Sequence, residues 1–377
     1  MNNILILEGA RTPFTTWAGG INGTGVKLGA LKPLDPFDLG AAALKEAVSR
    51  SGVPADKIDR VVFGIMYAVG ANACYGARYV SLRAGLPIEV PGLTVGMACG
   101  TGLYAVLSSA ETIGAGISQI IATGGSDNVS LVRRDVFVPS FRDLACNEHI
   151  AKTAQAMAKE FGVSRADQDR WSLRSHQRAL AAQKAGYWSE EIAPVPGASA
   201  DDNILQNPTP EHFAQAKPLF EDDPCATSAN THGIVDGGAA LVLASENGAK
   251  AAKAAPLGRY VAGAVVGLEP RRMAYASVVA INSALKNAGL SLRDIDLFEI
   301  NETFAAQMLI DMKELAIPEE KVNVNGGAIA LGHPFGGTGP RLVLTLLKEL
   351  RRRGLKRGVA SICVGGGSGV AVVVERV

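Results

Sequence analysis

An internal duplication is the feature that most constrains how this chain folds. In the first copy, at 43–59, a helix-like segment ends at Gly52, and a short linker then leads into the apolar strand Arg60–Ile65. In the second copy, residues 284–296 have the same order and lead into Leu297–Ile300. The repeat predicts two related α/β units rather than one continuous fold.

A second pair of similar segments supports the duplication. Each is a Gly-rich turn followed by an apolar strand, at 236–243 and at 365–372. We therefore predict an N-terminal half at 1–254 and a C-terminal half at 255–377. Short Val/Ile/Leu strands alternate with helical segments, and this alternation predicts parallel-rich sheets with helices on their faces.

The duplication also relates two chemically useful residues. Cys99 lies 47 residues after the helix-ending Gly52, and His333 lies 44 residues after the helix-ending Gly289. They therefore occupy nearly equivalent places in the two halves and are expected to face each other across a pseudo-two-fold axis. The first half is longer by roughly a hundred residues, which we predict to be an insertion at about 127–231.

Composition excludes several classes of protein. The 377 residues are 47% hydrophobic and 19% charged, which is typical of a globular core and not of disorder. The 37 basic and 36 acidic residues balance, so no field attracts nucleic acid or a membrane surface. The segment Met1–Leu7 is expected to form a first strand and not a signal peptide. The basic run Lys348–Arg357 is interpreted as the end of a helix.

Cysteine usage points to a reducing compartment, so we predict a cytoplasmic protein. Five cysteines, an odd number, are scattered without a Cys-x-x-Cys pair, which predicts neither a disulfide framework nor a metal site. The cysteines are Cys74, Cys99, Cys146, Cys225 and Cys363. Each thiol is either part of the core or part of the chemistry.

Two short blocks place a reactive side chain on a Gly-rich turn. Cys99 lies between Gly96 and Gly102, just before a helix-like segment, where the helix dipole favours a thiolate nucleophile. A buried core cysteine is the other interpretation of this block. His333 lies between Gly332 and Pro334 on a fixed loop and is either a base or a structural histidine.

Two further blocks lie at predicted strand ends. Cys363 ends a strand and is followed by a glycine loop that includes Gly365, whose backbone N–H groups could hold an oxyanion. Asn301 and Glu302 follow another strand, at the edge where ligands of parallel sheets usually bind.

The four blocks together resemble the thiolase family. The motifs Asn-Glu-x-Phe-Ala at 301–305, Gly-Gly-Ala-Ile-Ala-Leu-Gly-His-Pro at 326–334 and Cys-x-Gly-Gly-Gly-x-Gly at 363–369 occur in family order. The segments 10–14 and 164–176 also resemble the family, so the resemblance spans the whole chain. It implies duplicated βαβαβαββ halves in a five-layered α-β-α-β-α core, with a loop domain inserted in the first half.

The resemblance also implies roles for individual residues. The cysteine that matches Cys99 is acylated, and the histidine that matches His333 takes its proton. The cysteine that matches Cys363 moves the α-proton of acetyl-CoA. The asparagine that matches Asn301 holds a water that, with the histidine, forms one oxyanion hole. The backbone N–H groups of Cys99 and Gly365 would form the other.

Contacts with CoA are implied at four positions, and some of these depart from the family pattern. The four are His149, Ile150, His232 and Phe304. A serine usually stands where this chain has His232, and a methionine where it has Ile150. Both changes affect the expected pose of CoA or the acyl group.

The predicted activity is an acyltransferase reaction: reversible CoA-dependent cleavage of 3-ketoacyl-CoA, or Claisen condensation of two acyl-CoA molecules, with acetyl-CoA and acetoacetyl-CoA favoured. A longer-chain 3-ketoacyl-CoA thiolase and a non-catalytic acyl-CoA-binding protein are the alternatives. CoA is expected as a substrate, with no permanently bound cofactor and no metal. A homodimer is expected because the segment between Ser130 and Cys146 is short, with a homotetramer as the alternative.

Overall fold

The computed structural model describes residues 3–19, 28–67, 69–70 and 72–377. Among these residues, no helix combines the length and the apolar character needed to cross a bilayer. The strands are β1 (Ile4–Arg11), β2 (Thr15–Thr16), β3 (Arg60–Gly64), β4 (Gly92–Val95), β5 (Ile120–Asp127), β6 (Arg142–Asp143), β7 (Glu148–His149), β8 (Pro218–Phe220), β9 (Asp223–Thr227), β10 (Val235–Ser245), β11 (Gly258–Gly267), β12 (Leu297–Ile300), β13 (Arg357–Val364) and β14 (Ser368–Arg376).

The α-helices are α1 (Pro36–Ser51), α2 (Gly76–Arg83), α3 (Thr101–Gly114), α4 (Arg134–Phe137), α5 (Ile150–Glu160), α6 (Arg165–Lys184), α7 (Pro210–Ala214), α8 (Glu246–Ala252), α9 (Ala276–Ala288), α10 (Ala305–Leu315), α11 (Ala328–Leu331) and α12 (Thr338–Arg353).

The order of strands in the main sheet repeats. Four strands of the first half lie in the order β3-β5-β10-β1, and their counterparts in the second half lie in the order β12-β13-β14-β11. The two series meet where β1 pairs with β11 in an antiparallel manner, at Ile4–Ile6 against Gly258–Tyr260. The duplication predicted from the sequence is therefore present in the topology.

The sheet is mixed, so the expectation of parallel-rich sheets is wrong. Strand β3 runs parallel to β4 and β5, and β12 runs parallel to β13. The pairs β5–β10, β1–β10, β13–β14 and β11–β14 are antiparallel. The reason is local: β13 and β14 are joined by the short turn 365–367, and such a turn can only connect antiparallel strands.

The corresponding connection in the first half is long. Residues 128–234 lie between β5 and β10, and they contain α4 to α7. Helix α6 of this segment packs against α10 and α11, and α5 packs against α10. The segment thus lies against the second half, around the loop that carries His333. The division of the whole chain at residue 254 stays a prediction.

Five layers result from the way the helices cover the sheet. Helices α3 and α12 pack on each other and on strands of both halves, so they form the central layer. Helix α1 covers β1, β10 and β5 on one outer side, and α9 covers β11, β14 and β13 on the other. Three apolar clusters fill the spaces between these layers. The five-layered core implied by the resemblance is confirmed.

The outer helices end in the same way in both halves. Helix α1 begins at a capping box formed by Asp35 and Asp38, with Pro36 in its first turn. It ends at Gly52 with φ 69°, and α9 ends at Gly289 with φ 67°. Both glycines adopt the left-handed conformation that stops a helix, as the sequence predicted.

The two central helices cross at a pair of glycines. A Cβ atom on Gly102, in the first turn of α3, would overlap the carbonyl oxygen of Gly336. A Cβ atom on Gly339, in the first turn of α12, would overlap the backbone nitrogen of Leu103. Only residues without a side chain allow the two helix beginnings to approach this closely. The turns that precede them therefore meet in the middle of the molecule.

Gly102→Ala and Gly339→Ala are each expected to lower the free energy of unfolding by about 2 kcal/mol or more, because backbone must move to admit the methyl group. Gly267→Ala is the matched control, since a Cβ atom there has no atom within 4 Å. Urea unfolding of the three variants measures the difference. Equal loss of stability in all three would contradict the close crossing.

Candidate active site

Two strained turns stand at the beginnings of the central helices. Cys99 lies in the single turn 98–100 before α3, and Ala98 in that turn has φ 42°. The turn 335–337 precedes α12 two residues after His333, and Phe335 has φ 34°. Positive φ at non-glycine residues costs of order 1 to 3 kcal/mol and is found where the surrounding structure fixes a functional geometry. The two turns contact each other.

Cys99 faces the C-terminal half. Its turn packs against β13, the strand that carries Cys363, and a Cβ atom on Gly100 would lie 2.8 Å from a methyl group of Val364. The side chain of Cys99 is buried. The backbone N–H of Gly365 lies close enough to its sulfur to lower the pKa of the thiol. Sequence reasoning expected this N–H group near Cys99, and the structure brings the two together.

Burial decides the protonation state of Cys99. It raises the pKa of the thiol to about 11, although the N–H groups of Gly365 and of Cys99 itself oppose this effect. The thiolate that the helix beginning was expected to favour is therefore not the resting state. A base must remove the proton before this sulfur becomes a nucleophile.

His333 has the properties of such a base. Its backbone N–H donates to the carbonyl of Gly233 at 2.9 Å, and its Nδ1 lies 2.6 Å from the hydroxyl of Thr338. Its Nε2 is buried and has no hydrogen-bond partner. Burial, with smaller contributions from His232 and Arg341, holds the pKa of His333 well below its usual range. The ring is neutral at rest and has one ring nitrogen free.

Asn301 and Cys363 meet through a residue that sequence reasoning missed. The Nδ2 group of Asn301 donates to Oγ1 of Thr303 at 3.0 Å, and the thiol of Cys363 donates to the same oxygen at 3.2 Å. Oδ1 of Asn301 is buried without a partner. Burial raises the pKa of Cys363 far above its usual range. Thr303 stands at the variable position of the Asn-Glu-x-Phe-Ala motif. A hydroxyl group at that position was the sequence feature that could have indicated its role.

Glu302 does not face a ligand, so its expected position at the open sheet edge is wrong. It is fully buried, and its carboxylate accepts hydrogen bonds from Ser175, Asn323 and the backbone N–H of Ile329. Ile329 belongs to the short helix α11 just before His333. Through these hydrogen bonds Glu302 fixes the His333 loop from behind, while burial raises the pKa of its carboxyl group.

A second buried carboxylate was also missed. Asp127, at the end of β5, accepts hydrogen bonds from the backbone N–H groups of Met66, Tyr67 and Gly336. It therefore joins the turn before α12 to the segment after β3, in which Tyr67 belongs to the same apolar cluster as Cys99. Burial raises the pKa of Asp127 to about 7.

The four positions expected to contact CoA lie around this centre. The ring of His232 lies edge to face with that of His333, with centroids 4.9 Å apart. The ring of His149 is stacked with Phe141 at 6.0 Å, and Phe141 lies 6.4 Å from His232. These rings form a continuous aromatic wall that leads to His333.

Ile150 and Phe304 lie beside Cys363. Both belong to an apolar cluster that contains Cys363. A Cβ atom on Gly365 would lie 4.0 Å from a methyl group of Ile150. All nine residues selected from the sequence are thus near one another. Among the described residues, no group of three or more His, Cys, Asp or Glu side chains is arranged to hold a metal ion.

Comparison with known proteins identifies the class. Residues 4–247 match the model of the thiolase N-terminal domain, and residues 254–376 match the model of the thiolase C-terminal domain. The chain belongs to the thiolase family, whose members compared below are acyltransferases.

Relatives with two different names cover the whole chain. It is 37% identical to the acetyl-CoA acetyltransferase of Cupriavidus necator, covering 100% of both chains. It is 35% identical to the mitochondrial 3-ketoacyl-CoA thiolase of Mus musculus, covering 100% of this chain and 99% of that one.

Solved structures give the same result. The human mitochondrial 3-ketoacyl-CoA thiolase in complex with CoA is 36% identical, with a TM-score of 0.93 over 100% of this chain and 98% of that chain. The acetyl-CoA acetyltransferase of Bacillus anthracis is 36% identical, with a TM-score of 0.94 over 100% and 99% of the two chains.

The protonation state of Cys99 gives a prediction on pH. In His333→Gln the base is gone and the thiol keeps a pKa of about 11. Alkylation of Cys99 by iodoacetamide near pH 7 is expected to fall by on the order of a hundredfold. It should then rise about tenfold per pH unit up to about pH 10, because the thiolate fraction grows as the pH approaches the pKa.

Peptide mass spectrometry measures this alkylation site by site. The exposed Cys74 is the internal control, and its alkylation should be the same in the variant and in the wild type. A plateau of the Cys99 rate below about pH 9 in His333→Gln would show that its pKa is not raised.

Proposed function

We propose that this chain catalyses the CoA-dependent cleavage of 3-ketoacyl-CoA and the reverse Claisen condensation, with acetoacetyl-CoA as the favoured substrate of cleavage. One observation carries the proposal: the turn that carries one buried thiol packs against the strand that carries another, in a site where two polar atoms have no partner. The thiols belong to Cys99 and Cys363, and the free atoms are Nε2 of His333 and Oδ1 of Asn301.

Acylation is the first step of the condensation. The sulfur of Cys99 attacks the thioester carbonyl of acetyl-CoA while Nε2 of His333 takes the thiol proton. The N–H groups of Cys99 and Gly365 hold the oxygen that becomes negative. The CoA sulfur leaves as a thiolate and only afterwards takes the proton of Cys363, so this proton transfer does not limit acylation. The products are an acetyl thioester on Cys99, a protonated His333 and a Cys363 thiolate.

Carbon–carbon bond formation is the second step. The Cys363 thiolate removes a proton from the methyl group of a second acetyl-CoA, and the resulting enolate attacks the acetyl group on Cys99. His333 now carries an N–H that donates to the enolate oxygen, together with a water held by Asn301. When the new bond has formed, Cys99 leaves as a thiolate and recovers its proton from His333.

The size of His232 supports a short acyl group. Its buried ring occupies space between Phe141 and His333, the proposed base. A serine at this position would leave that space open. A longer-chain 3-ketoacyl-CoA thiolase is the second candidate, because relatives with that name cover the whole chain. A protein that only binds acyl-CoA would not require both thiols and a free histidine nitrogen.

CoA enters this scheme as a substrate, and no permanently bound cofactor takes part. The related human mitochondrial 3-ketoacyl-CoA thiolase was solved in complex with CoA, which supports CoA as a ligand here. We propose that contacts with CoA come from His149, Ile150, His232 and Phe304. Cytoplasmic location and assembly as a homodimer are parts of the same proposal.

Cys99→Ala and Cys363→Ala are expected to fail at different steps. Cys99→Ala forms no acetyl-enzyme from acetyl-CoA. Cys363→Ala still forms the acetyl-enzyme, but loses acetoacetyl-CoA synthesis by on the order of a thousandfold or more, because the carbon acid has no base. Intact-mass spectrometry measures the acetyl-enzyme, and absorbance of the acetoacetyl-CoA enolate measures synthesis and cleavage.

Cys74→Ala is the matched control, since it removes an exposed thiol and should leave both steps unchanged. Synthesis retained in Cys363→Ala would remove that residue from its proposed role. Absence of acetyl-enzyme in the wild type with acetyl-CoA, together with absence of the shortened acyl-enzyme with longer 3-ketoacyl-CoA substrates, would favour the binding protein.

His232→Ser tests the preference for a short acyl group. Loss of the ring opens space beside His333, so kcat/KM for a six-carbon 3-ketoacyl-CoA should rise relative to that for acetoacetyl-CoA by about tenfold. His212→Ser, at an exposed histidine in α7, is the matched control and should leave the ratio unchanged. An unchanged ratio in His232→Ser would show that this ring does not limit the acyl pocket.

A further inference from the structure

Thr303 joins two groups of the site through one oxygen atom. Its side chain is fully buried. Oγ1 accepts a hydrogen bond from the thiol of Cys363 at 3.2 Å and another from Nδ2 of Asn301 at 3.0 Å. Its backbone carbonyl also accepts from the N–H of His232 at 3.2 Å. Thr303 thus lies between the groups that handle the α-proton and those that handle the developing oxyanion.

A hydroxyl group in this place can serve both protonation states of a thiol. It has one donor and two acceptor positions. While Cys363 is a thiol, both acceptor positions are used, one by Cys363 and one by Asn301. When Cys363 loses its proton, the O–H bond of Thr303 can rotate and donate to the sulfur, while the bond from Asn301 stays in place.

The surroundings of Cys363 make this donor important. Burial in an apolar cluster disfavours its thiolate. Two titratable groups face it, the thiol of Cys99 from the turn before α3 and the buried carboxyl of Asp311 from α10, and both raise its pKa further. The hydrogen bond to Thr303 acts in the opposite direction and lowers it. Asp311 is itself buried, and its pKa is raised well above its usual range.

We propose that Thr303 is a positioning residue for the carbon–carbon bond-forming step, in which its hydroxyl group orients Cys363, stabilises the thiolate and keeps Asn301 fixed. This inference rests on the proposed function. The proton balance is simple: the α-proton of the second acetyl-CoA moves to the sulfur of Cys363, and Thr303 neither gains nor loses a proton. The attack of Cys99 on the thioester, which we take to limit the rate of acylation, does not involve the hydroxyl group.

The test compares wild type with Thr303→Val, which keeps the shape and removes the hydroxyl group, and with Thr303→Ser, which keeps the hydroxyl group. Each is incubated with acetyl-CoA in D₂O, and deuterium in the methyl group of acetyl-CoA is followed by mass spectrometry over a range of pD. Acetyl-enzyme formation is measured separately by rapid quenching and intact-mass spectrometry.

We expect Thr303→Val to form acetyl-enzyme within about twofold of the wild-type rate but to exchange the methyl protons roughly tenfold to a hundredfold more slowly, as for loss of a hydrogen bond to a charged group. The rising limb of its pD profile should move to higher pD by about one unit, because the thiolate has lost a donor. Thr303→Ser should recover most of the exchange rate and the position of the limb.

Three results would overturn the inference while leaving the proposed function intact. They are an exchange rate and pD profile in Thr303→Val equal to wild type, an equal fall of acylation and exchange, and a Thr303→Ser variant as slow as Thr303→Val. If Thr303→Val does not fold, Thr303→Ala makes the same comparison. A wild type that forms no acetyl-enzyme would contradict the proposed function itself, and the inference would fall with it.

Discussion

The close crossing of α3 and α12 is the constraint on which the rest of the structure depends. Gly102 and Gly339 allow the two helix beginnings to approach until backbone touches backbone. The turns just before these helices carry Cys99 and lie next to His333. Because the two halves share one topology, this crossing brings equivalent turns together. One of these turns carries the thiol of Cys99, whereas the other follows the imidazole ring of His333. The duplication creates the neighbourhood, and divergence of two residues creates the chemistry.

A second property of the site follows from the burial of its side chains. Burial disfavours charge on every reacting group, so the thiols of Cys99 and Cys363 are protonated and His333 is neutral at rest. The thiolates and the charged imidazole therefore form by proton transfer between neighbouring groups during the reaction, and they are not present before it begins. Backbone N–H groups and the hydroxyl of Thr303 are then the main sources of stabilisation. Such fixed dipoles are effective because they need little reorganisation when the charge develops.

Much of this could be predicted from the sequence, and the limits have physical reasons. Nearly equal distances from Gly52 and Gly289 were enough to relate Cys99 to His333, because glycine helix stops recur at similar places in both halves. The mixed sheet was not foreseen, since alternation of strands and helices does not reveal that the turn 365–367 is a hairpin. Thr303 and Asp127 were missed because their roles depend on hydrogen bonds to residues that are distant in the chain. Thr303 contacts Cys363, and Asp127 contacts the backbone of Met66, Tyr67 and Gly336.

The long connection between β5 and β10 separates two kinds of information along the chain. The groups proposed to make and break bonds stand on the repeated frame, whereas three of the four residues proposed to contact CoA, His149, Ile150 and His232, lie in residues 128–234. A change of substrate can therefore be acquired in one continuous stretch of sequence, without disturbing the crossing that aligns the reacting atoms. Exchange of this stretch between relatives is a route by which one reaction could be adapted to many acyl groups.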